Sequence, residues 1–201
     1  MLSNPSLHIF FGPMRSGKST ELRTIVTQSA DLGLKTLYIN SKIDVREKLN
    51  SRKDDRDGPT SHHSSFYGLS TKIDYIKVDK LEDVDVSNYQ IIGIDEGQFF
   101  HDIVKVVRKW LFVDYKTIYI SSLDGDFEIR PFGHVSELIC IASTIRKFSA
   151  KCMMCLELGK LRDAPYTGKL KTVPKIEGQI LVGGDETYIS LCLHCHEINS
   201  R

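Results

Sequence analysis

This sequence predicts a parallel α/β sheet flanked by helices, followed by a small metal-binding module. Three features predict it. Short apolar strands alternate with helix-type segments over the first three quarters of the chain. A Gly- and Lys-bearing turn sits between the first strand and the first helix, as a phosphate-binding loop requires. Two C-x-x-C pairs then close the chain, Cys152-Met153-Met154-Cys155 and Cys192-Leu193-His194-Cys195. The boundary is expected near residue 150, with a nucleotide-binding core over 1–150 and a cysteine module over 151–201.

Leu7-His8-Ile9-Phe10-Phe11 reads as the first strand. Gly12-Pro13-Met14-Arg15-Ser16-Gly17-Lys18-Ser19 follows, fitting Gly, four residues, then Gly-Lys-Ser. In such a loop successive backbone N–H groups form an anion nest, and the next helix adds its positive end. Lys18 reaches the outer phosphates and the Ser19 hydroxyl is a Mg²⁺ ligand. Gly12 through Ser19, with Thr20 beside them, are therefore the candidate nucleotide-binding residues. Ser19 to Val26 has helix-forming residues without Pro or Gly, and Gly33 supplies a stop.

Lys35 to Ile39 reads as a second strand. Arg46 to Ser65 is polar and charged around Gly58-Pro59, a long functional or disordered loop. Tyr75 to Val78 is a short strand. Gln90 to Ile94 is an apolar run of the kind buried on both faces of a parallel sheet. Ile103, Val106, Val107, Trp110 and Leu111 fall at helical spacing, and Thr117 to Ile120 is another buried strand. Val135 to Thr144 reads as a helix containing a buried Cys140, and Ile145 to Phe148 as the last strand.

Composition is that of an ordinary globular chain: 201 residues, 41% hydrophobic, 26% charged, net charge +1. So small a charge gives no electrostatic reason to expect nucleic acid or an anionic membrane as partner. No apolar run approaches the ~20 residues a membrane span needs. The N-terminus lacks the pattern of a secretory signal, so a cytoplasmic location is expected. In a reducing compartment the two cysteine pairs have the spacing of a four-thiolate Zn²⁺ site, with Cys152, Cys155, Cys192 and Cys195 as ligands. Disulfides are the competing reading, disfavoured there. His194 and His196 stand beside the second pair as alternative ligands.

The apolar strand ends in Asp95-Glu96. An acid at the C-terminal end of a buried strand is the expected Mg²⁺ partner of a phosphate loop, which makes Asp95 the metal-side residue alongside Ser19. Glu96 should point elsewhere, toward whatever attacks the terminal phosphate, as the base that takes its proton. The same pattern describes ATPases whose glutamate activates water. What separates the two is an acceptor pocket, for which Gln98-Phe99-Phe100, Phe127 and Phe132 are the candidates, with Phe100 read as core.

These motifs together resemble the thymidine kinases of the small, zinc-containing type. The resemblance rests on Gly12 to Ser19; Asp95-Glu96-Gly97-Gln98-Phe99-Phe100; Leu123-Asp124-Gly125-Asp126-Phe127 with Pro131-Phe132-Gly133; and the cysteine pairs with Gly183-Gly184-Asp185-Glu186 and Tyr188 before the second. It covers residues 8–195. It implies transfer of the ATP γ-phosphate to the 5′-hydroxyl of thymidine or deoxyuridine, with Glu96 as base, Asp95 at Mg²⁺, and Gln98 counted with the nucleotide site. Phe99, Phe127 and Phe132 would line the nucleoside site, with Met14 near the thymine methyl. The loop between the cysteine pairs would be a lasso over the nucleoside. Its segment Gln179-Ile180-Leu181-Val182-Gly183 would bond the base edge through main-chain groups, with Tyr188 alongside. Homotetramers and feedback inhibition by dTTP are implied by resemblance alone. Arg15, Glu128-Ile129-Arg130 and the segment Arg162 to Glu177 depart from the family pattern.

Overall fold

A computed structural model describes residues 4–44, 72–170 and 187–200. Six strands form one parallel sheet: β1 (Ser6–Phe11), β2 (Thr36–Ser41), β3 (Ile73–Val78), β4 (Ile91–Ile94), β5 (Thr117–Ser122) and β6 (Thr144–Lys147), ordered β3-β2-β4-β5-β1-β6. Every residue of β2 and β4 is buried, as strands covered on both faces must be. β1 alternates instead. Leu7, Ile9 and Phe11 join the core on one face, and Phe10 joins the core on the other.

Helix α1 (Lys18–Asp31) covers one face through Leu22, Val26 and Ala30, spaced four apart, against Phe10, Tyr38, Ile73 and Ile91. It sits close because β4 offers Gly93 at the crossing. A Cβ there would lie 2.8 Å from Val26 Cγ1. The helix stops at Gly33, whose φ of 85° lets Leu34 N–H turn back to Ser29 O. Helix α2 (Ile103–Phe112) covers the other face, burying all five apolar residues predicted for it.

Val135–Ile141 is a 3₁₀ helix rather than the α-helix expected over Val135 to Thr144, and Thr144 already belongs to β6. A three-residue repeat turns Val135 and Leu138 inward and leaves Ile139 outside. Cys140, expected to be buried, is exposed for the same reason.

The C-terminal module has two short antiparallel pairs, β7 (Ala150–Lys151) with β8 (Asp163–Ala164) and β9 (Tyr166–Lys169) with β10 (Tyr188–Leu191). Helices α3 (Met153–Glu157) and α4 (Leu193–Ser200) follow β7 and β10. Its core is Cys152, Cys155, Cys192 and Cys195 packed with Ala150, Ala164 and Leu191. The loop Arg46 to Ser65 and the segment Gln179 to Gly183 lie outside the described residues. Among the described residues no helix is long and apolar enough to cross a membrane.

Candidate active site and metal centre

The C-terminal ends of β1 and β4 bring the phosphate loop and Asp95-Glu96 together, the position where parallel sheets bind ligands. Ser19 Oγ donates to Asp95 Oδ1 at 2.9 Å and lies 3.3 Å from Ser121 Oγ. The two residues assigned to Mg²⁺ from sequence are thus in contact. Glu96 N–H also donates to Asp95 Oδ1, at 3.0 Å. Oδ2 is held by Tyr38, whose hydroxyl donates at 2.6 Å from within the sheet. Burial, and then the charge of Asp95, push the Tyr38 phenol well above its ordinary range, so it remains a donor.

Around the loop, Lys18 is buried and its Nζ donates to Pro13 O at 3.2 Å. Gly12 is required by crowding: a Cβ there would stand 2.7 Å from Ser16 Oγ and 2.8 Å from Phe148 O. Ser16 Oγ is one of two buried side-chain polar atoms with no hydrogen-bond partner among the described residues. A buried hydroxyl without a partner inside a nest of amides fits a site whose polar partner is a phosphate. Arg15 is exposed with φ 61°, and Thr20 is exposed on the first turn of α1.

Glu96 adopts the left-handed conformation, φ 54° and ψ 43°, at about 1–2 kcal/mol for a residue with a Cβ. The 3₁₀ turn Gly97–Phe99 holds it there through Phe99 N–H to Glu96 O. Its side chain leaves Asp95 and meets Gln98, whose Nε2 donates to Glu96 Oε2 at 2.6 Å. Gln98 Oε1 accepts from Leu123 N–H at 3.0 Å and Ser122 Oγ at 3.1 Å. With its oxygen so engaged, the amide can present only its NH₂ to Glu96. Gln98, grouped by resemblance with the nucleotide site, directs its side chain at Glu96.

The aromatic candidates form two pairs. Phe99 meets Phe132 edge-on at 5.9 Å between ring centres, and Phe127 meets Tyr188 at 6.4 Å. All four are half-buried, whereas Phe100 is wholly within the core, as expected. Lys169 Nζ lies 5.7 Å over the Phe127 ring. The turn carrying Phe127 is organised by Asp126, whose Oδ1 accepts Glu128 N–H and Arg130 N–H and whose Oδ2 accepts Arg130 Nε. The departure Glu128-Ile129-Arg130 is therefore locally self-consistent, closed by a Glu128–Arg130 ion pair at 2.8 Å. Met14 carries its backbone against the β9–β10 pair, its N–H donating to Thr167 Oγ1 and its C=O accepting from Ser190 Oγ. Gln179, Ile180, Leu181, Val182 and Gly183 are not among the described residues.

The four predicted sulfurs converge, all within 4.8 Å of one another. Cys155 Sγ lies 3.9 Å from Cys192 Sγ and 3.6 Å from Cys195 Sγ. A tetrahedral ion with bonds of about 2.3 Å sets sulfurs about 3.8 Å apart, and a disulfide about 2.05 Å. The cluster fits zinc, and all four cysteines are free rather than joined in disulfides. Burial raises the Cys152 thiol, but hydrogen bonds from the Cys192 and Cys155 backbone outweigh it and bring the thiol down to about 7. His196 is not drawn into the cluster: its Nε2 lies 2.9 Å from Phe127 O.

The sequence model of the family described as thymidine kinase matches residues 5–196. The chain belongs to the thymidine kinase family. A thymidine kinase of Myxoma virus (strain Uriarra) is 32% identical over 192 residues, covering 94% of this chain and 95% of the viral protein. Thymidine kinase 1 of Dictyostelium discoideum is 35% identical, covering 94% of this chain and 77% of its own. The cytosolic thymidine kinase of Homo sapiens is 32% identical, with 94% and 72% covered.

As a thymidine kinase family member the chain holds site residues that sequence reasoning missed. Tyr38 sits in a stretch read only as the second strand, and the signal was that a buried Tyr needs a partner for its hydroxyl. Thr167 and Ser190 carried no local signal, because what they touch is remote in sequence, and His196, read as an alternative metal ligand, meets Phe127 O instead.

Proposed function

We propose that this chain transfers the γ-phosphate of ATP to the 5′-hydroxyl of thymidine, or of deoxyuridine, yielding dTMP and ADP for pyrimidine deoxynucleotide salvage in the cytoplasm. The observation that carries this reading is the Glu96 carboxylate, buried and aimed by Gln98 beside the joined Ser19–Asp95 pair. Family membership supplies the nucleoside as acceptor, and the human relative's name supplies the cytosol.

In this mechanism residues 1–150 bind the nucleotide and residues 151–201 close over the nucleoside. Gly12 to Ser19 cradle the phosphates, with Lys18 at the outer ones. Ser19 and Asp95 would hold Mg²⁺, which neutralises charge developing on the transferred group. Glu96 takes the proton of the 5′-hydroxyl as that oxygen bonds to the γ-phosphorus. The bond from phosphorus to the bridging oxygen breaks and ADP leaves. Phe99, Phe127, Phe132 and Tyr188 hold the base, while Gln179 to Gly183 bond its edge. Cys152, Cys155, Cys192 and Cys195 hold a structural Zn²⁺ that restricts the ends of the closing loop, so fewer conformations are lost on binding. Homotetramer assembly and feedback inhibition by dTTP belong to the same reading.

Glu96→Ala tests it. Thymidine-dependent ADP release should fall by about 10²–10⁴-fold, the usual worth of a positioned base, while ATP binding persists. Undiminished turnover in the folded variant would overturn Glu96 as base. ATP hydrolysis by the native chain that ignores thymidine would overturn the kinase reading itself.

A further inference from the structure

We propose that the β9–β10 hairpin is a clasp that sets the geometry of the phosphate loop, so that filling the donor site and retaining metal in the cysteine module are thermodynamically linked. This rests on the reading of Gly12 to Ser19 as the phosphate site and of the four cysteines as a zinc site.

Met14 lies inside the loop, and both of its main-chain groups are taken by the hairpin. Its N–H donates to Thr167 Oγ1 at 3.2 Å and its C=O accepts from Ser190 Oγ at 2.8 Å. Thr167 and Ser190 are register partners, so the two bonds leave adjacent points of one antiparallel ladder. Their exposures are 5% and 1%, which leaves water little access to replace either bond.

The consequence for the loop follows from peptide planarity. The Met14 C=O and the Arg15 N–H belong to one trans unit, so anchoring the carbonyl fixes the direction of that amide. Arg15 has φ 61°, the left-handed member of the alternation that builds an anion nest. Ser190 is thus a positioning residue for a nest amide it does not touch.

The other end of the hairpin reaches the sulfurs. Leu191, wholly buried in the cysteine core, precedes Cys192 and follows Ser190. It fits because Gly168, diagonally across the ladder from it, has no side chain: a Cβ there would meet Leu191 Cδ1 at 2.5 Å. Cys192, Leu191, Ser190 and Met14 therefore form an unbroken physical path from metal site to phosphate loop. Reserving the cysteine module for the nucleoside side, as sequence reasoning does, leaves out this contact. If an ordered hairpin favours phosphate binding by some factor, bound phosphate favours the ordered hairpin by the same factor.

The experiment uses zinc-loaded protein without nucleoside, reading MgATP affinity by calorimetry and zinc release to a colorimetric chelator. In the native chain saturating MgATP should raise the chelator concentration needed to withdraw half the zinc at equilibrium about tenfold. Ser190→Ala should weaken MgATP binding by a similar factor and abolish the protection, with the KM for thymidine changing less than the KM for ATP. Thr167→Val should act in the same direction and Thr167→Ser should restore both readouts, which guards against a misfolded single variant. Zinc release insensitive to nucleotide in a native chain that binds MgATP would overturn the clasp and leave the phosphate site standing. Failure of the native chain to bind MgATP would overturn both.

Discussion

Replacing Tyr38 by Phe deletes one hydroxyl and nothing else from a fully packed position. That hydroxyl makes a 2.6 Å bond to Asp95 Oδ2, and the two residues are 1% and 6% exposed. A hydrogen bond to an ionised acceptor is worth about 1.5–3 kcal/mol, and so little exposure gives water scant opportunity to take over. Tyr38→Phe should therefore lower stability by about 2 kcal/mol, or roughly 4–8 °C for a chain of this size. The loss should be attributable to this pair. Asp95→Asn removes the charge that the phenol serves, so the double variant should lose less than the two singles together, by about 1.5 kcal/mol. Urea unfolding of the four zinc-loaded proteins closes the cycle. Activity supplies an independent reading: the Mg²⁺ concentration for half-maximal rate should rise in Tyr38→Phe, with the KM for thymidine unchanged. Strict additivity within about 0.5 kcal/mol would refute the reasoning, because contacting partners cannot be energetically independent.

Gly133→Ala places a Cβ 2.5 Å from Gln98 O at a φ of 67°, so it should cost more than about 2 kcal/mol and lower kcat through the displaced Gln98 and Glu96. Gly159→Ala has the same φ range but open space, and should cost only about 1 kcal/mol; equal melting temperatures for the two would contradict the crowding account. His8, stacked on Tyr119 at 4.6 Å, is held below its usual value of 6.5 by burial, so the folded chain takes up that proton less readily than the unfolded one. Its contribution is complete above about pH 6.5 and is lost as pH falls through 6.5 toward the folded value. Melting curves of His8→Gln should accordingly decline less steeply below pH 6.5, and parallel curves would count against it.

Much of the site was legible because its chemistry demands local spacing. Gly12 to Ser19 must be contiguous to build a nest, each cysteine pair must place two sulfurs on one knuckle, and Ile103 to Leu111 must repeat with the helix. Winding was less legible. Val135 to Ile141 is apolar enough for an α-helix, and nothing local in it marks the tightening to three residues per turn that turns Cys140 outward. Least legible were pairings between distant positions. Tyr38 with Asp95, Ser190 with Met14, and His196 with Phe127 are each side chains whose partners are chosen by the assembled fold.

The outward-facing Cys140 has a practical result. Of the chain's five thiols the other four are at most 9% exposed and packed together, so a bulky thiol reagent meets one reactive group in the intact protein. A maleimide dye should attach at that single place without any engineering. Any molecule whose module has opened should consume five equivalents, which turns reagent uptake into a direct count of damaged protein in a preparation.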